Sequence, residues 1–245
     1  MKNISLLLFL SILISCNNST KKDNYVTEIE DYQYEQNLKF HDDTKSPLTK
    51  DDLKTFKKLE YFTINKKYRV VAKLEKTVDA PIFEMPTTTE RKPLYIKYGT
   101  LTFTIDGLEQ QLSIYQNKDF GRNPIYKNYL FLPFTDKTSG ADSYGGGRYV
   151  DVLTSDENSN GTEIMIDFNK AYNPLCAYND KYSCPITPKE NHLTVALKAG
   201  VKSYKKHYGC IEISSCKSNS IAFSKAFKCG LLTFSFVAAC AFLFN

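Results

Sequence analysis

Three consecutive glycines followed by an arginine form the first group of residues that could do chemistry. The group comprises Tyr144, Gly145, Gly146, Gly147 and Arg148. Glycine tolerates positive φ, and successive backbone N–H groups in such a turn can form a nest that binds an anion. Arg148 adds a planar, permanently charged guanidinium that suits a carboxylate or a phosphate. We therefore predict a loop that binds a small polar or anionic ligand; the alternative is a glycine-rich turn in which Arg148 pairs with Asp151 or Asp167.

A second unusual segment follows at residues 167–185, and we expect it to form the other wall of the same pocket. Its candidate ligand-binding residues are Asp167, Asn169, Tyr172 and Asn173, together with Asp151 from the preceding segment. A long loop inside a compact domain is usually functional or disordered, and the three tyrosines of this segment argue against disorder. Asp151 and Asp167 could also act as a carboxylate pair for hydrolysis, although ion pairing with Arg148 is the simpler interpretation.

Cys176 and Cys184 lie eight positions apart in this second segment, and a disulfide between them is the first interpretation. In an exported protein such a bond stabilises the fold by about 2–3 kcal/mol through loop entropy. The alternatives are two buried thiols, a metal pair or a reactive thiol. His41 and His192 are the only histidines before the last forty residues, and neither has the spacing of a zinc ligand. No histidine is near in sequence to activate a cysteine nucleophile, so we predict no metal site and no cofactor.

The first sixteen residues predict where the protein resides. Lys2 precedes a run of about a dozen apolar residues, the length of a signal-peptide core and short for a membrane span. The run ends in Leu13-Ile14-Ser15-Cys16, which resembles the bacterial lipobox. We expect residues 1–16 to direct export, Cys16 to carry palmitate-like acyl chains, and residues 17–24 to tether the domain to the membrane. The prediction is a lipid-anchored protein of the bacterial cell envelope; the alternative is an ordinary secretory signal.

The formal charge of +5 is unevenly distributed along the chain. Most of it comes from Lys2 and from the last forty residues, so the body of the chain is close to neutral. Nucleic-acid binding requires basic charge clustered on one face, and we exclude it.

Residues 206–245 differ in character from the body of the chain. They contain Cys210, Cys216, Cys229 and Cys240, and an apolar run at residues 230–244 that is too short to cross a bilayer as a helix. We interpret this tail as foreign to the domain, from a frameshift or a read-through, rather than as a second membrane anchor.

The scaffold that must position these residues is predicted to be mainly β. Residues 25–40 have helical spacing, and Thr49 begins a short second helix as an N-cap with a carboxylate three residues on. Beyond residue 67 the hydrophobic period is two, with strands predicted at residues 68–74, 80–86, 129–134, 148–153, 163–168 and 192–197. Residues 99–115 are predicted to form a β-hairpin that turns at Asp106-Gly107. We therefore predict one domain at residues 25–205, an antiparallel sheet that is barrel-like or a sandwich, with one or two N-terminal helices and α+β as the runner-up.

Several rare strings, in this order, resemble a bacterial family that is known only as a domain of unknown function. The strings are Phe131–Gly140, Tyr144–Tyr149, Asp167–Tyr178 and Tyr182–Pro185, followed by Glu190-Asn191 and Ala199-Gly200. The resemblance spans roughly Ser46–Lys202, and several members resemble this chain in being predicted lipoproteins. It implies a single compact domain that ends near Lys205, and it implies no activity.

Two functions from different classes fit these features. The first is an envelope-tethered module that binds a small polar or anionic ligand through the glycine-rich loop, with hydrolysis as a further alternative. The second is a structural or protein-interaction lipoprotein, in which the same residues hold a long loop against the sheet. The sequence predicts the membrane as a partner through Cys16 and no particular protein partner.

Overall fold

A computed structural model describes residues 23–119, 126–158 and 160–205. Seven antiparallel strands form one sheet: β1 Arg69–Lys76, β2 Phe83–Glu84, β3 Leu94–Ile105, β4 Leu108–Asn117, β5 Tyr129–Phe134, β6 Arg148–Leu153 and β7 Glu163–Asp167. Their spatial order is β6-β5-β4-β3-β1-β7, and β2 pairs with β3 outside this path. The sheet curls into a half-barrel, which confirms the prediction of a mainly β, antiparallel, barrel-like fold.

Several predictions fall outside the described residues: the signal peptide at residues 1–16, lipidation of Cys16, most of the tether at residues 17–24, and the tail at residues 206–245.

Two helices precede the sheet, as predicted. Helix α1 spans Asn24–His41 and begins at the last residue of the predicted tether, where the Asp23 side chain accepts the Tyr25 N–H. Helix α2 spans Lys50–Thr55, and the Thr49 hydroxyl accepts the Asp52 N–H at 3.1 Å, which confirms the predicted N-cap. Among the described residues, no helix is long and apolar enough to cross a membrane.

The β3–β4 hairpin follows directly from its sequence. Asp106 and Gly107 adopt φ of 51° and 76°, the two positive values that a type I′ turn requires. Ile105 then pairs with Leu108 across the turn, and alternate residues of β3 enter the interior of the half-barrel.

The prediction of a last strand at residues 192–197 is wrong. Burial does alternate there, since Leu193, Val195 and Leu197 pack inside the half-barrel. However, the backbone makes only one isolated bridge, between His192 and Thr135. Two further N–H groups bind side chains: Gln110 accepts that of residue 194 at 2.9 Å, and Asp136 accepts that of residue 197 at 3.3 Å. We call residues 191–201 the closing segment, because they fill the open side of the half-barrel without joining its hydrogen-bond ladder.

The sheet has an apolar layer on each face. The interior face and the closing segment form the main core. A second, aromatic layer covers the outer face of β3–β6 and consists of Met85, Tyr95, Tyr115, Phe131 and Tyr149, with Phe83 and Tyr172 packed against it. The predicted strand at residues 80–86 contributes to this layer although only Phe83–Glu84 pairs, because its prolines offer no backbone N–H to a ladder.

Candidate functional site

Arg148 is directed into the half-barrel and is fully buried. Its Nη2 donates to Asp136 Oδ2 at 2.8 Å and to the Leu197 carbonyl at 2.9 Å. Its Nη1 donates to the carbonyls of Ala199 and Val201, the latter at 3.3 Å. We call this group the Arg148 clamp, since it ties β6 to the closing segment. The prediction that Arg148 binds a ligand is wrong, because its four terminal N–H groups are used internally.

The ion-pair partner proposed for Arg148 also requires correction. Neither Asp151 nor Asp167 contacts it, and the partner is Asp136, whose side chain is fully buried beside it. The rings of Phe62 and Phe134 lie 5.6 and 5.2 Å from the guanidinium carbon. Aromatic faces and carbonyl oxygens together stabilise a cation that water does not reach.

The three glycines lie in a turn, and one of their N–H groups is used within it. The Gly147 N–H donates to the Tyr144 carbonyl at 3.1 Å, so it is not available to a ligand. Gly147 has φ of 93°, and a Cβ there would lie 2.6 Å from the Phe134 carbonyl oxygen. Gly145 and Gly146 are exposed, and the Gly146 carbonyl accepts the Thr187 hydroxyl at 3.1 Å. The glycine run therefore allows β6 to begin close against β5 with Arg148 directed inward.

Asp151 lies on the outer face of β6, in a recess beside two tyrosines. Tyr172 donates its hydroxyl to Asp151 Oδ1, and the Tyr129 hydroxyl bonds the same carboxyl group. The side chain is accessible to solvent, yet desolvation by the surrounding protein raises its pKa, against the lowering effect of the two hydroxyls and of Lys39. A carboxyl group that water reaches and whose pKa is raised can do acid–base work.

Asp167 and Asn169 join α1 to the sheet. The Tyr25 hydroxyl lies 2.9 and 3.0 Å from the two Asp167 carboxylate oxygens, and Asn169 Nδ2 donates to the same hydroxyl at 2.8 Å. Asn173 is buried, and its Nδ2 donates to the Lys202 carbonyl at 2.9 Å. Asp167 and Asn169 are bonded within the fold, and Asn173 is buried with its Oδ1 unpaired among the described residues. These interior contacts do not support the predicted pocket that the three residues would share with the glycine loop.

Cys176 and Cys184 are free thiols in this structure, so the predicted disulfide is not formed. They are nevertheless adjacent, because the Cys176 N–H donates to Cys184 Sγ at 3.2 Å. The Tyr144 hydroxyl bonds the Cys176 side chain and connects the pair to the glycine run. In the ranges that the structure describes, no group of three or more His, Cys, Asp or Glu could hold a metal ion.

A cleft of about 390 Å³ lies on the outer face of the sheet, where sequence reasoning predicted no site. We call it the lysine cleft, and its lining residues are Phe83, Met85, Pro86, Lys97, Tyr115, Ile186, Thr187, Pro188, Lys189 and Glu190. Small-molecule sites typically enclose roughly 300–1,000 Å³. The sequence does contain a signal for this cleft, namely two stretches bounded by prolines, residues 81–86 and 185–188. The two stretches run side by side, and the Ile186 N–H donates to the Pro86 carbonyl at 2.8 Å.

In the lysine cleft the acidic side chain has a hydrogen-bond partner among the described residues, and the two lysine side chains do not. Lys97 is half-buried and Lys189 is exposed, and neither has an ion-pair or hydrogen-bond partner within the described part of the chain. Glu190, in contrast, accepts the Tyr115 hydroxyl at 3.0 Å. Burial, followed by the Glu190 charge, raises the pKa of Tyr115, so its hydroxyl stays protonated as a donor. The lining thus carries one more positive than negative charge above an apolar floor.

Comparison with known proteins identifies a family and similar solved structures. The family described as "Protein of unknown function (DUF1684)" matches residues 54–202, which include every strand, the cysteine pair and the lysine cleft. The solution NMR structure of an uncharacterized protein from Haloarcula marismortui is 34% identical, with a TM-score of 0.58. That match covers 75% of this chain and 97% of the other. No curated protein matches.

Proposed function

This chain belongs to the DUF1684 family of proteins of unknown function, and we propose that it is an envelope lipoprotein that binds a small anionic ligand in the lysine cleft. The observation that carries the proposal is a pair of lysines, Lys97 and Lys189, whose side chains have no ion-pair or hydrogen-bond partner among the described residues and which lie above an apolar floor. An opposite charge within hydrogen-bond distance of a half-buried ammonium is favourable, because the local dielectric is lower than that of water.

The ligand class follows from the lining. Phe83, Met85 and Pro86 offer apolar surface and no charge, so a ligand that fills the cleft has an apolar part. Glu190 lies beside the lysines and disfavours a second negative charge nearby. We therefore propose a monoanion with an apolar body, such as a short aliphatic or aromatic carboxylate. This retains the small anionic ligand predicted from the sequence and moves it from Arg148 to other residues.

Isothermal titration calorimetry tests the cleft with benzoate and hexanoate as probes and with benzamide and hexanamide as neutral controls. We expect the carboxylates to bind and Lys97→Gln to weaken them about tenfold, equivalent to about 1.4 kcal/mol. The matched control is Lys73→Gln, an exposed lysine on β1 outside the lining. If neither carboxylate binds, or if both lysine variants behave alike, the binding proposal is overturned and the structural or protein-interaction lipoprotein becomes the better proposal.

The lipid anchor rests on the sequence of residues 1–16 and has its own test. Cells that express the chain and are fed an alkyne-labelled palmitate should incorporate the label into the parent and not into Cys16→Ser. Label in both proteins would place the acyl chain elsewhere, and absence of label from the parent would favour the ordinary secretory signal. The result is independent of the lysine cleft.

A second candidate function is hydrolysis, and the Asp151 recess is the observation that favours it. A carboxyl group with a raised pKa keeps its proton to a higher pH than an ordinary aspartic acid and can donate it to a leaving group. The hydroxyls of Tyr129 and Tyr172 would then orient the carboxyl. Chromogenic acetate and phosphate esters are suitable probes, and turnover that is retained in Asp151→Asn would exclude this role.

A further inference from the structure

The cysteine pair forms a site that neither the lysine cleft nor the Asp151 recess uses. Cys176 lies in a 3₁₀ turn, Leu175–Ala177, and Cys184 lies at the start of the segment that lines the lysine cleft. The Cys176 N–H donates to Cys184 Sγ at 3.2 Å. This contact places the Cys184 sulfur next to the Cys176 backbone, so the two thiols belong to neighbouring residues in space.

Each backbone is fixed independently of the other. Thr88 holds Cys184 on both sides: its Oγ1 accepts the Cys184 N–H at 3.1 Å, and its N–H donates to the Cys184 carbonyl at 2.9 Å. Tyr178 follows Cys176 by two residues and is buried in the cluster beneath the helices. The thiols therefore stay adjacent whether or not a bond joins them.

The two thiols differ in reactivity. Cys184 is 5% exposed, and burial raises its pKa to about 11. Cys176 is half-exposed, and its side chain bonds the Tyr144 hydroxyl at the surface. Because the thiolate is the nucleophile and must reach its target, Cys176 is the thiol that meets an external disulfide first.

We propose that Cys176 and Cys184 form a thiol–disulfide exchange site in which Cys176 reacts first and Cys184 resolves the mixed disulfide. The oxidant is a disulfide RSSR from the surroundings, a small-molecule or an exported protein disulfide. Cys176 loses its proton, its sulfur attacks RSSR, and one RSH leaves. The Cys184 sulfur then attacks Cys176 Sγ, the second RSH leaves, and the internal disulfide is complete. The protein dithiol loses two electrons and two protons, which reduce RSSR to two RSH.

The test uses the full chain and glutathione disulfide, followed by alkylation, trypsin digestion and mass spectrometry. The two cysteines lie on separate tryptic peptides, residues 171–181 and 182–189, so the internal bond gives a linked pair that no other cysteine of the chain can give. We expect this linked pair to accumulate and to disappear when excess reduced glutathione is added. If both cysteines stay alkylatable, or if either pairs with another cysteine instead, the proposal is overturned.

The order of reaction is tested on the same protein without mutation. A brief pulse of iodoacetamide on the native chain should modify Cys176 at least about tenfold faster than Cys184, because Cys184 is buried and burial raises the pKa of its thiol. Two variants extend this: Cys184→Ser should accumulate glutathione on Cys176, whereas Cys176→Ser should leave Cys184 unmodified. Equal rates, or faster modification of Cys184, would contradict the assigned order. A misfolded variant leaves the measurement on the parent as the deciding one.

Tyr144→Phe tests whether the Tyr144 hydroxyl affects the reactivity of Cys176 apart from any effect on the packing of the site. It removes the hydroxyl that bonds Cys176 and retains the ring that packs against Gly146. If the hydroxyl orients the Cys176 thiol, the rate of iodoacetamide modification should change at Cys176 and stay the same at Cys184. A change at both cysteines would indicate general loosening and would count against the assigned contact.

Discussion

The Arg148 clamp and the lysine cleft are both cationic, and they use their charges in opposite ways. Arg148 is fully buried and bonds Asp136 and three backbone carbonyls. Lys97 and Lys189 lie at an open cleft, and within the described residues their side chains have no ion-pair or hydrogen-bond partner. A buried charge requires internal partners that offset the cost of its desolvation. A charge that water solvates needs no internal partner, so it remains available to a ligand. The four terminal N–H groups of Arg148 are therefore not available to a ligand.

The largest effect expected from this contrast is the loss of the clamp. Arg148→Leu leaves Asp136 buried without its counter-charge and the carbonyls of Ala199 and Val201 without their donor, whereas the Leu197 carbonyl still accepts the Ala199 N–H. We expect the free energy of unfolding to fall by about 3–5 kcal/mol, the usual effect of breaking a buried ion pair. Urea denaturation followed by circular dichroism measures it. A loss below about 1 kcal/mol would mean that the clamp does not hold the fold.

A second substitution tests whether the loss of stability in Arg148→Leu comes from the unpaired charge of Asp136. Arg148→Leu combined with Asp136→Asn keeps an amide at position 136 and removes the buried charge. Since an unpaired buried charge costs more than a missing pair, we expect the double variant to be more stable than Arg148→Leu alone. If the double variant is the less stable of the two, the unsatisfied carbonyls are the main cost.

A smaller loss of stability is expected from substitution of one glycine before Arg148 and not from substitution of another. Gly147→Ala places a Cβ 2.6 Å from the Phe134 carbonyl at φ of 93°, and it should destabilise by about 1–3 kcal/mol or more. Gly145→Ala is the matched control, because its nearest neighbour would be 3.6 Å away and its φ is not positive. We expect that change to stay within about 1 kcal/mol of the parent. Equal losses in both variants would contradict the role assigned to Gly147.

Local signals predicted the parts of the fold that depend on near neighbours. The Asp106-Gly107 turn and the Thr49 cap were predicted correctly, because each is decided within a few residues. The partners of Arg148 could not be predicted, since its carbonyl acceptors lie 49 to 53 residues further along the chain. The two sides of the lysine cleft are likewise distant in sequence, near residues 83–97 and 186–190. Residue type alone does not reveal whether a donor is already used.

The lysine cleft should respond to charge without a response in stability. Lys97→Gln should change the free energy of unfolding by less than about 0.5 kcal/mol, because it breaks no internal contact. Benzoate binding to the parent should weaken when the salt concentration rises from about 0.05 to about 0.5 M, whereas binding to Lys97→Gln should weaken less. Calorimetry at the two salt concentrations measures both. Equal salt dependence in the two proteins would mean that Lys97 does not meet the anion.

The smallest effect expected concerns Asp151, which is on the same strand as Arg148 but faces solvent. Its pKa is raised above the ordinary 3.8, so between these two values the folded state binds more protons than the unfolded state. The contribution of Asp151 to stability is therefore full below about pH 4 and is lost as the pH rises through its folded pKa. Asp151→Asn does not titrate, so its stability relative to the parent should rise over that window, as urea denaturation at a series of pH values would measure.

Tyr172→Phe tests the same carboxyl group in a second way, because it changes the pKa of Asp151 instead of removing the titrating group. The Tyr172 hydroxyl lowers the pKa of Asp151, and its removal should raise that pKa further. The loss of stability should then extend to higher pH than in the parent. If removing the hydroxyl leaves the pH profile unchanged, Asp151 is hydrated as fully as any surface carboxylate. The recess would then resemble neither the clamp nor a catalytic site, and the outer face of β6 would contribute only packing.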